Sequence, residues 1–153
     1  MKENEKINQL KFIVDNNKEI NIKDLDGKKI VIYFYPKDDT PGCTREAIDF
    51  TEKINEFNNL NTEIYGVSKD SVEKHQKFKK KHDLKIKLVS DVNGITCEQF
   101  GVWVEKSMYG KTYMGIQRST FVIDENFIVK KIWRNVKVKG HVDEVLDYLR
   151  ISS

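Results

Sequence analysis

Ile30-Val-Ile-Tyr-Phe-Tyr35 runs directly into Pro36-Lys-Asp-Asp-Thr-Pro-Gly-Cys43. With Lys29 the first segment is a near-continuous apolar run, the pattern of a strand covered on both faces rather than one. Pro36 cannot donate to a ladder and closes the strand or opens a loop. Thr40 is a good N-cap and Pro41 suits the first helical position, so a helix begins there with Cys43 in its first turn. That position faces unsatisfied N–H groups and a partial positive charge, and both favour the thiolate, the reactive form of cysteine.

Outward from this stretch, strand-like and helix-like segments alternate. Ala47, Ile48, Thr51, Ile54 and Phe57 recur at helical spacing and supply a buried face up to Asn58-Asn59. Thr62 to Ser68 reads as a second buried strand. Asp70-Ser-Val-Glu73 resembles a capping box opening a lysine-rich helix to about Leu84. Lys87 to Ser90 predicts a short strand, and Gly94 to Phe100 a short helix stopped by Gly101. Residues 101 to 117 read as irregular. Residues 119 to 124 and 127 to 134 form a hairpin, and Val142 to Arg150 a closing amphipathic helix. Near the start, residues 9 to 14 and 18 to 22 suit a small hairpin around Asp15-Asn-Asn-Lys18. Two βα units, a hairpin and a last helix predict an α/β fold of thioredoxin-like architecture. A central mixed sheet is flanked by helices on both faces in a single domain, residues 1–153.

Composition narrows the function classes. Net charge is +3, from 27 basic and 24 acidic residues, too balanced to point to a polyanion. The basic stretch Lys74 to His82 holds one aromatic residue, Phe78, and no nucleic-acid module, so a solvated helix face is expected and no nucleic-acid partner. No apolar run approaches the ~20 residues of a membrane span, and Met1 to Ile7 is charged, unlike a signal peptide. A cytoplasmic, non-membrane protein is the expectation. The two cysteines, Cys43 and Cys97, form no C-x-x-C pair, and His75, His82 and His141 do not join them at metal-ligand spacing. Neither a metal nor another cofactor is expected.

Several segments together carry a resemblance. Tyr33-Phe-Tyr-Pro-Lys37, Thr40-Pro-Gly-Cys-Thr44, Ser90-Asp91, Cys97-Glu-Gln-Phe-Gly-Val-Trp103, Gly110-Lys-Thr-Tyr113 and Gly115 to Asp124 occur in the order found in atypical peroxiredoxins. From about Asp24 to the C-terminus the chain resembles the PrxQ, or bacterioferritin comigratory protein, subgroup. The resemblance implies a thiol peroxidase that reduces hydrogen peroxide and organic hydroperoxides. Cys43 would be the peroxidatic cysteine and Thr40 would hydrogen-bond the thiolate or the peroxide. Arg118 would keep the thiolate ionised and polarise the substrate, and Pro36 would shield the site from water. The backbone N–H groups of Gly42 and Cys43 would position the peroxide oxygens. The residues alone leave simpler readings open: an N-cap for Thr40, a strand stop for Pro36, an ion-pair member for Arg118. Only Arg45, Arg118, Arg134 and Arg150 are arginines, and Arg45 in the same first turn could also favour the thiolate.

The chain departs from the subgroup where many members carry a resolving cysteine, five residues after the first. Ile48 stands there, and the helix 70–84 holds no cysteine either. Cys97 is left, either as a buried structural residue or as the resolving thiol. A one-cysteine mechanism is expected, with thioredoxin, glutaredoxin or a small thiol as reductant. The resemblance suggests a monomer, with a dimer as the alternative. A peroxide sensor acting through Cys43 is a competing reading. Thioredoxin-type disulfide exchange is disfavoured by the missing C-x-x-C. Trp103, Met108, Tyr109 and Tyr113 could shape the peroxide site or lie in the core.

Overall fold

A computed structural model describes residues 1–152; Ser153, the last residue of the expected domain, lies outside the described residues. The central sheet has the order β5 (Lys87–Ser90), β4 (Thr62–Ser68), β3 (Lys29–Phe34), β8 (Ser119–Ile123) and β9 (Val129–Trp133). Strand β3 pairs in parallel with β4, β4 with β5 likewise, while β8 runs antiparallel to β3 and β9 to β8. This is the mixed α/β sheet that the apolar runs predict. The first four strands start or end within a residue of the expected limits because both of their faces are covered.

The alternation of β3 divides the interior in two. Ile30, Ile32 and Phe34 point into one core with Phe12, Tyr65, Cys97, Phe100 and Phe121. Val31, Tyr33 and Tyr35 point into the other with Cys43, Ala47, Phe50, Phe57, Phe78 and Val145. The second face is covered by α1 (Pro41–Glu52), α2 (Ile54–Asn59), α3 (Val72–His82) and α5 (His141–Ser152). The first is covered by α4 (Ile95–Gln99) and the hairpin of β1 (Lys11–Ile13) with β2 (Glu19–Asn21).

Three local expectations change. The helix from Pro41 is interrupted at Lys53, whose N–H reaches the carbonyls of Phe50 and Thr51. Its buried residues are Cys43, Glu46, Ala47 and Phe50, so an acid shares the core face while Ile48 and Thr51 are half-buried. Ser71, not Asp70, caps α3, accepting from Lys74 N at 3.3 Å. Asp70 instead accepts from Ser68 Oγ at 2.7 Å and from Asp38 N at 2.8 Å.

The largest difference lies in residues 101–117, which hold a regular hairpin. Strand β6 (Trp103–Met108) pairs antiparallel with β7 (Lys111–Ile116) around Tyr109-Gly110. Both turn residues have positive φ, 52° and 78°, as a two-residue hairpin turn requires. Tyr109 is an uncommon residue there, and much of the hairpin is exposed, so neither turn chemistry nor an apolar run announces it. Met108, Tyr109 and Tyr113 are exposed rather than core. Trp103 packs at the edge of the Cys97 core with the Lys69 ammonium 4.1 Å above its ring. No helix is long and apolar enough to cross a membrane among the described residues.

Candidate active site

Cys43 is the third residue of α1, with Thr40 at the N-cap and Pro41 at the first position. Thr40 makes no side-chain cap bond; its hydroxyl donates backwards to the Lys37 carbonyl at 2.8 Å. The N–H groups of Gly42 and Cys43, which an N-cap side chain ordinarily satisfies, are therefore left to face whatever enters the first turn. The Cys43 side chain is buried. Pro36 follows β3 and is exposed.

Arg118 precedes β8 and comes to this turn from the far end of the chain. Its Nη2 donates to Cys43 Sγ at 3.3 Å and its Nη1 to Glu46 Oε1 at 2.7 Å. Gly42 makes room for the guanidinium: a Cβ there would stand 3.3 Å from Nη2. Arg45 is engaged with Asp49 at 3.3 Å, Arg134 with the carbonyls of Met1, Phe100 and Gly101, and Arg150 with Glu56. Of the four arginines, Arg118 is the one on the thiol.

Glu46 is the site residue that sequence reasoning passed over. It is fully buried, and its Oε2 has no hydrogen-bond partner among the described residues. Burial pushes its carboxyl up to about 7, with Arg118 pulling against it. Tyr33 is also buried, its hydroxyl unpartnered among the described residues, and burial, together with the charges of Glu46 and Cys43, raises it far above the usual phenol range. An acid three residues after Cys43 on a buried helix face was the available signal.

The loop between β3 and α1 is tied to α3. His75 Nε2 donates to the Val89 carbonyl at 2.9 Å, and its Nδ1 meets Asp38 Oδ2 at 2.6 Å. Tyr35 donates to Asp38 Oδ1, and Asp39 is held by Lys81 and His82. Asp38, Asp70 and His75 are close enough together to suit a cation. Their ligand atoms are already committed to hydrogen bonds with one another or with Ser68 and the Asp38 backbone. They serve as a brace for the Cys43 loop.

Cys97 lies on the other side of the sheet. It is buried in α4, its N–H donates to Asp91 Oδ2 at 2.8 Å, and burial followed by Asp91 pushes its thiol well above the usual range. Both cysteines are free. The arrangement brings together Cys43, Thr40, Gly42 and Arg118, and it sets Cys97 apart from them.

A nucleophile at a helix N-terminus, contacted by a guanidinium on a thioredoxin-like sheet, defines a thiol-based redox enzyme. Residues 4–132 match the AhpC/TSA family. The chain is 51% identical over 136 residues to peroxiredoxin Bcp of Bacillus subtilis (89% of this chain, 87% of that one). It is 47% identical over 135 residues to putative peroxiredoxin bcp of Coxiella burnetii (88% and 89%). Among solved structures, a cysteine-to-serine mutant of PrxQ from Xylella fastidiosa superposes with a TM-score of 0.95 at 36% identity, covering 99% of this chain and 97% of that one. The bacterioferritin comigratory protein of Xanthomonas campestris, studied for alkyl peroxide reduction, gives 0.89 at 42% identity, with 94% and 91% covered. The chain belongs to the AhpC/TSA family and, within it, to the PrxQ/Bcp peroxiredoxins, and it is a thiol-dependent peroxidase.

Proposed function

We propose that this enzyme reduces hydrogen peroxide and organic hydroperoxides by a one-cysteine mechanism centred on Cys43. The observation that carries the reading is the 3.3 Å contact from Arg118 Nη2 to Cys43 Sγ in the first turn of α1. The Cys43 thiolate attacks one peroxide oxygen, an S–O bond forms and the O–O bond breaks. Cysteine loses two electrons, becoming a sulfenic acid, and the leaving oxygen takes a proton to depart as water or alcohol. Charge that builds on the leaving oxygen is met by donors already in place: Arg118 and the N–H groups of Gly42 and Cys43. Thr40 has committed its hydroxyl proton to the Lys37 carbonyl, so its oxygen accepts the peroxide O–H. To Pro36, exposed after β3, we assign the shielding of the site from water.

The burial of Cys97 in the opposite core supports an external reductant. A thiol attacks the sulfenic sulfur, releasing water and leaving a mixed disulfide that a second thiol resolves. Thioredoxin fits this role, as do glutaredoxin or a small thiol. Two free cysteines suit a reducing compartment, and we place the enzyme in the cytoplasm, in cell redox homeostasis, as a monomeric single domain over residues 1–153.

The test is the intact mass of reduced protein seconds after one equivalent of hydrogen peroxide, beside Cys43→Ser. A gain of about 16 Da that the variant lacks supports the sulfenic acid. A loss of about 2 Da shows a disulfide and overturns the one-cysteine mechanism. An unchanged mass overturns hydrogen peroxide as substrate.

A further inference from the structure

A threonine at an N-cap ordinarily accepts a hydrogen bond from the second or third N–H of its own helix. Thr40 has the extended backbone of such a cap, φ −92° and ψ 155°, yet makes no cap bond and donates to the Lys37 carbonyl at 2.8 Å instead. A capping hydroxyl would occupy the N–H of Gly42 or Cys43, the donors assigned to the peroxide. What turns it away is the path of residues 37–40, and α3 holds that path. Asp39 has φ 61°, an uncommon conformation for a residue other than glycine, and its carboxylate is gripped by Lys81 and His82.

The deeper anchor is His75. Its side chain is fully buried and that of its partner Asp38 is 6% exposed. Nε2 stands 2.9 Å from the Val89 carbonyl, which can only accept, so Nε2 carries a hydrogen. A neutral ring in that tautomer would aim the Nδ1 lone pair at a carboxylate oxygen 2.6 Å away. A proton therefore lies between them too, and the contact is a buried, charge-assisted hydrogen bond. Asp38 Oδ1 accepts from Tyr35, and the Asp38 N–H donates to Asp70 Oδ2 at 2.8 Å. Through His75 the loop is fastened to α3 and to β5 at once.

We propose that His75 is a positioning residue of the peroxidase: paired with Asp38, two residues before Thr40, it holds the loop in the path that turns the Thr40 hydroxyl away and leaves the Gly42 and Cys43 N–H groups open to the peroxide. His75 acts through the loop and not on the reacting atoms. Cutting the link lets Thr40 cap its own helix, which closes the donors. The thiolate is spared, because Arg118 reaches Cys43 Sγ from the start of β8 and not from this loop. The inference rests on Cys43 being the peroxidatic thiol.

The experiment compares Cys43 oxidation by hydrogen peroxide, followed by stopped flow, with Cys43 alkylation by iodoacetamide in wild type and three variants. His75→Leu and Asp38→Ala cut the link from either side, and Asp38→Ala leaves the α3 core intact, so it decides the matter if His75→Leu does not fold. Asp38→Asn keeps the link, since its amide donates to Nδ1 of a neutral His75. Both cutting variants are expected to oxidise about tenfold or more slowly while alkylating within about twofold of wild type. Asp38→Asn should oxidise within about threefold of wild type. Oxidation at the wild-type rate in Asp38→Ala overturns the proposal. So does alkylation that changes along with oxidation, which reports an opened fold, or an Asp38→Asn as slow as Asp38→Ala. Oxidation of Cys43 in wild type is what the peroxidase reading requires and the ratio of variant to wild type is what this inference requires, so the two fail separately.

Discussion

Cys43 and Cys97 stand on opposite faces of one sheet, the first in the core with Tyr33 and Phe50, the second in the core with Phe34 and Phe100. A disulfide needs Cα atoms within about 7 Å, and strand β3 with its neighbours lies between these two. Replacing Cys97 should therefore leave peroxide reduction intact. In Cys97→Ala, peroxide consumption with an external thiol is expected to stay within about twofold of wild type, while the lost thiol costs about 1 kcal/mol of stability. A collapse of turnover with unchanged stability would instead assign Cys97 a chemical role.

Gly42 separates stability from reactivity. Alanine at this helical position costs nothing in propensity, but its Cβ would press on the guanidinium at 3.3 Å. Gly42→Ala should melt at or slightly above the wild-type temperature yet react with peroxide about three- to tenfold more slowly, the equivalent of ~1 kcal/mol at the barrier. Stopped-flow measurement of the first oxidation, alongside thermal melting, checks both halves.

Glu46 and His141 oppose each other over one pH window. Glu46 rises from an ordinary carboxyl value to about 7, so between about 4.5 and 7 the folded chain holds a proton that the unfolded chain has lost. Its contribution to stability falls as pH rises through that window. His141, accepting from or donating to Thr120 Oγ1 at 2.8 Å, drops to about 4, so between about 4 and 6.5 the unfolded chain holds the extra proton. Its contribution rises with pH. Relative to wild type, Glu46→Gln should gain stability as pH rises, and His141→Gln should lose it, each by up to about 1.4 kcal/mol per pH unit. Urea unfolding at pH 5, 6 and 7 reads the slopes; equal slopes in all three proteins would refute the assignment.

Gly66 on β4 lies under the Tyr33 ring, and an alanine Cβ would sit 2.7 Å from its Cζ and hydroxyl. Tyr33 cannot retreat freely, because it stacks on Phe50 of α1 at 4.6 Å between ring centres. Gly66→Ala is expected to cost about 1–3 kcal/mol by overpacking. It should also slow Cys43 oxidation, since the strain is delivered to the helix that holds the thiol. Denaturant titration together with the oxidation rate tests the pair of effects.

What could be read in advance follows the physics of each segment. Strands β3, β4 and β5 are covered on both faces, so their composition alone marks them. The β6–β7 hairpin was illegible because its exposed residues have no burial pattern and its turn carries Tyr109 where Asn or Asp is usual. Thr40, Gly42, Cys43 and Arg118 could be named from the motif and the resemblance, but the back-turned Thr40 hydroxyl depends on the path of residues 37–40. Glu46 was hidden because its meaning comes from Arg118, 72 residues away in sequence.

The alternation of β3 has a consequence for how such a chain can diverge. One strand serves two interiors that share no side chain, with Cys43 beside Arg118 in one and Cys97 beside Asp91 in the other. Substitutions can accumulate around Cys97, Phe34 and Phe100, retuning thermal tolerance, without altering the chemistry across the sheet. The reactive half, crowded with Tyr33, Glu46 and Arg118, has far less latitude. A descendant of this sequence can therefore change its climate before it can change its substrate.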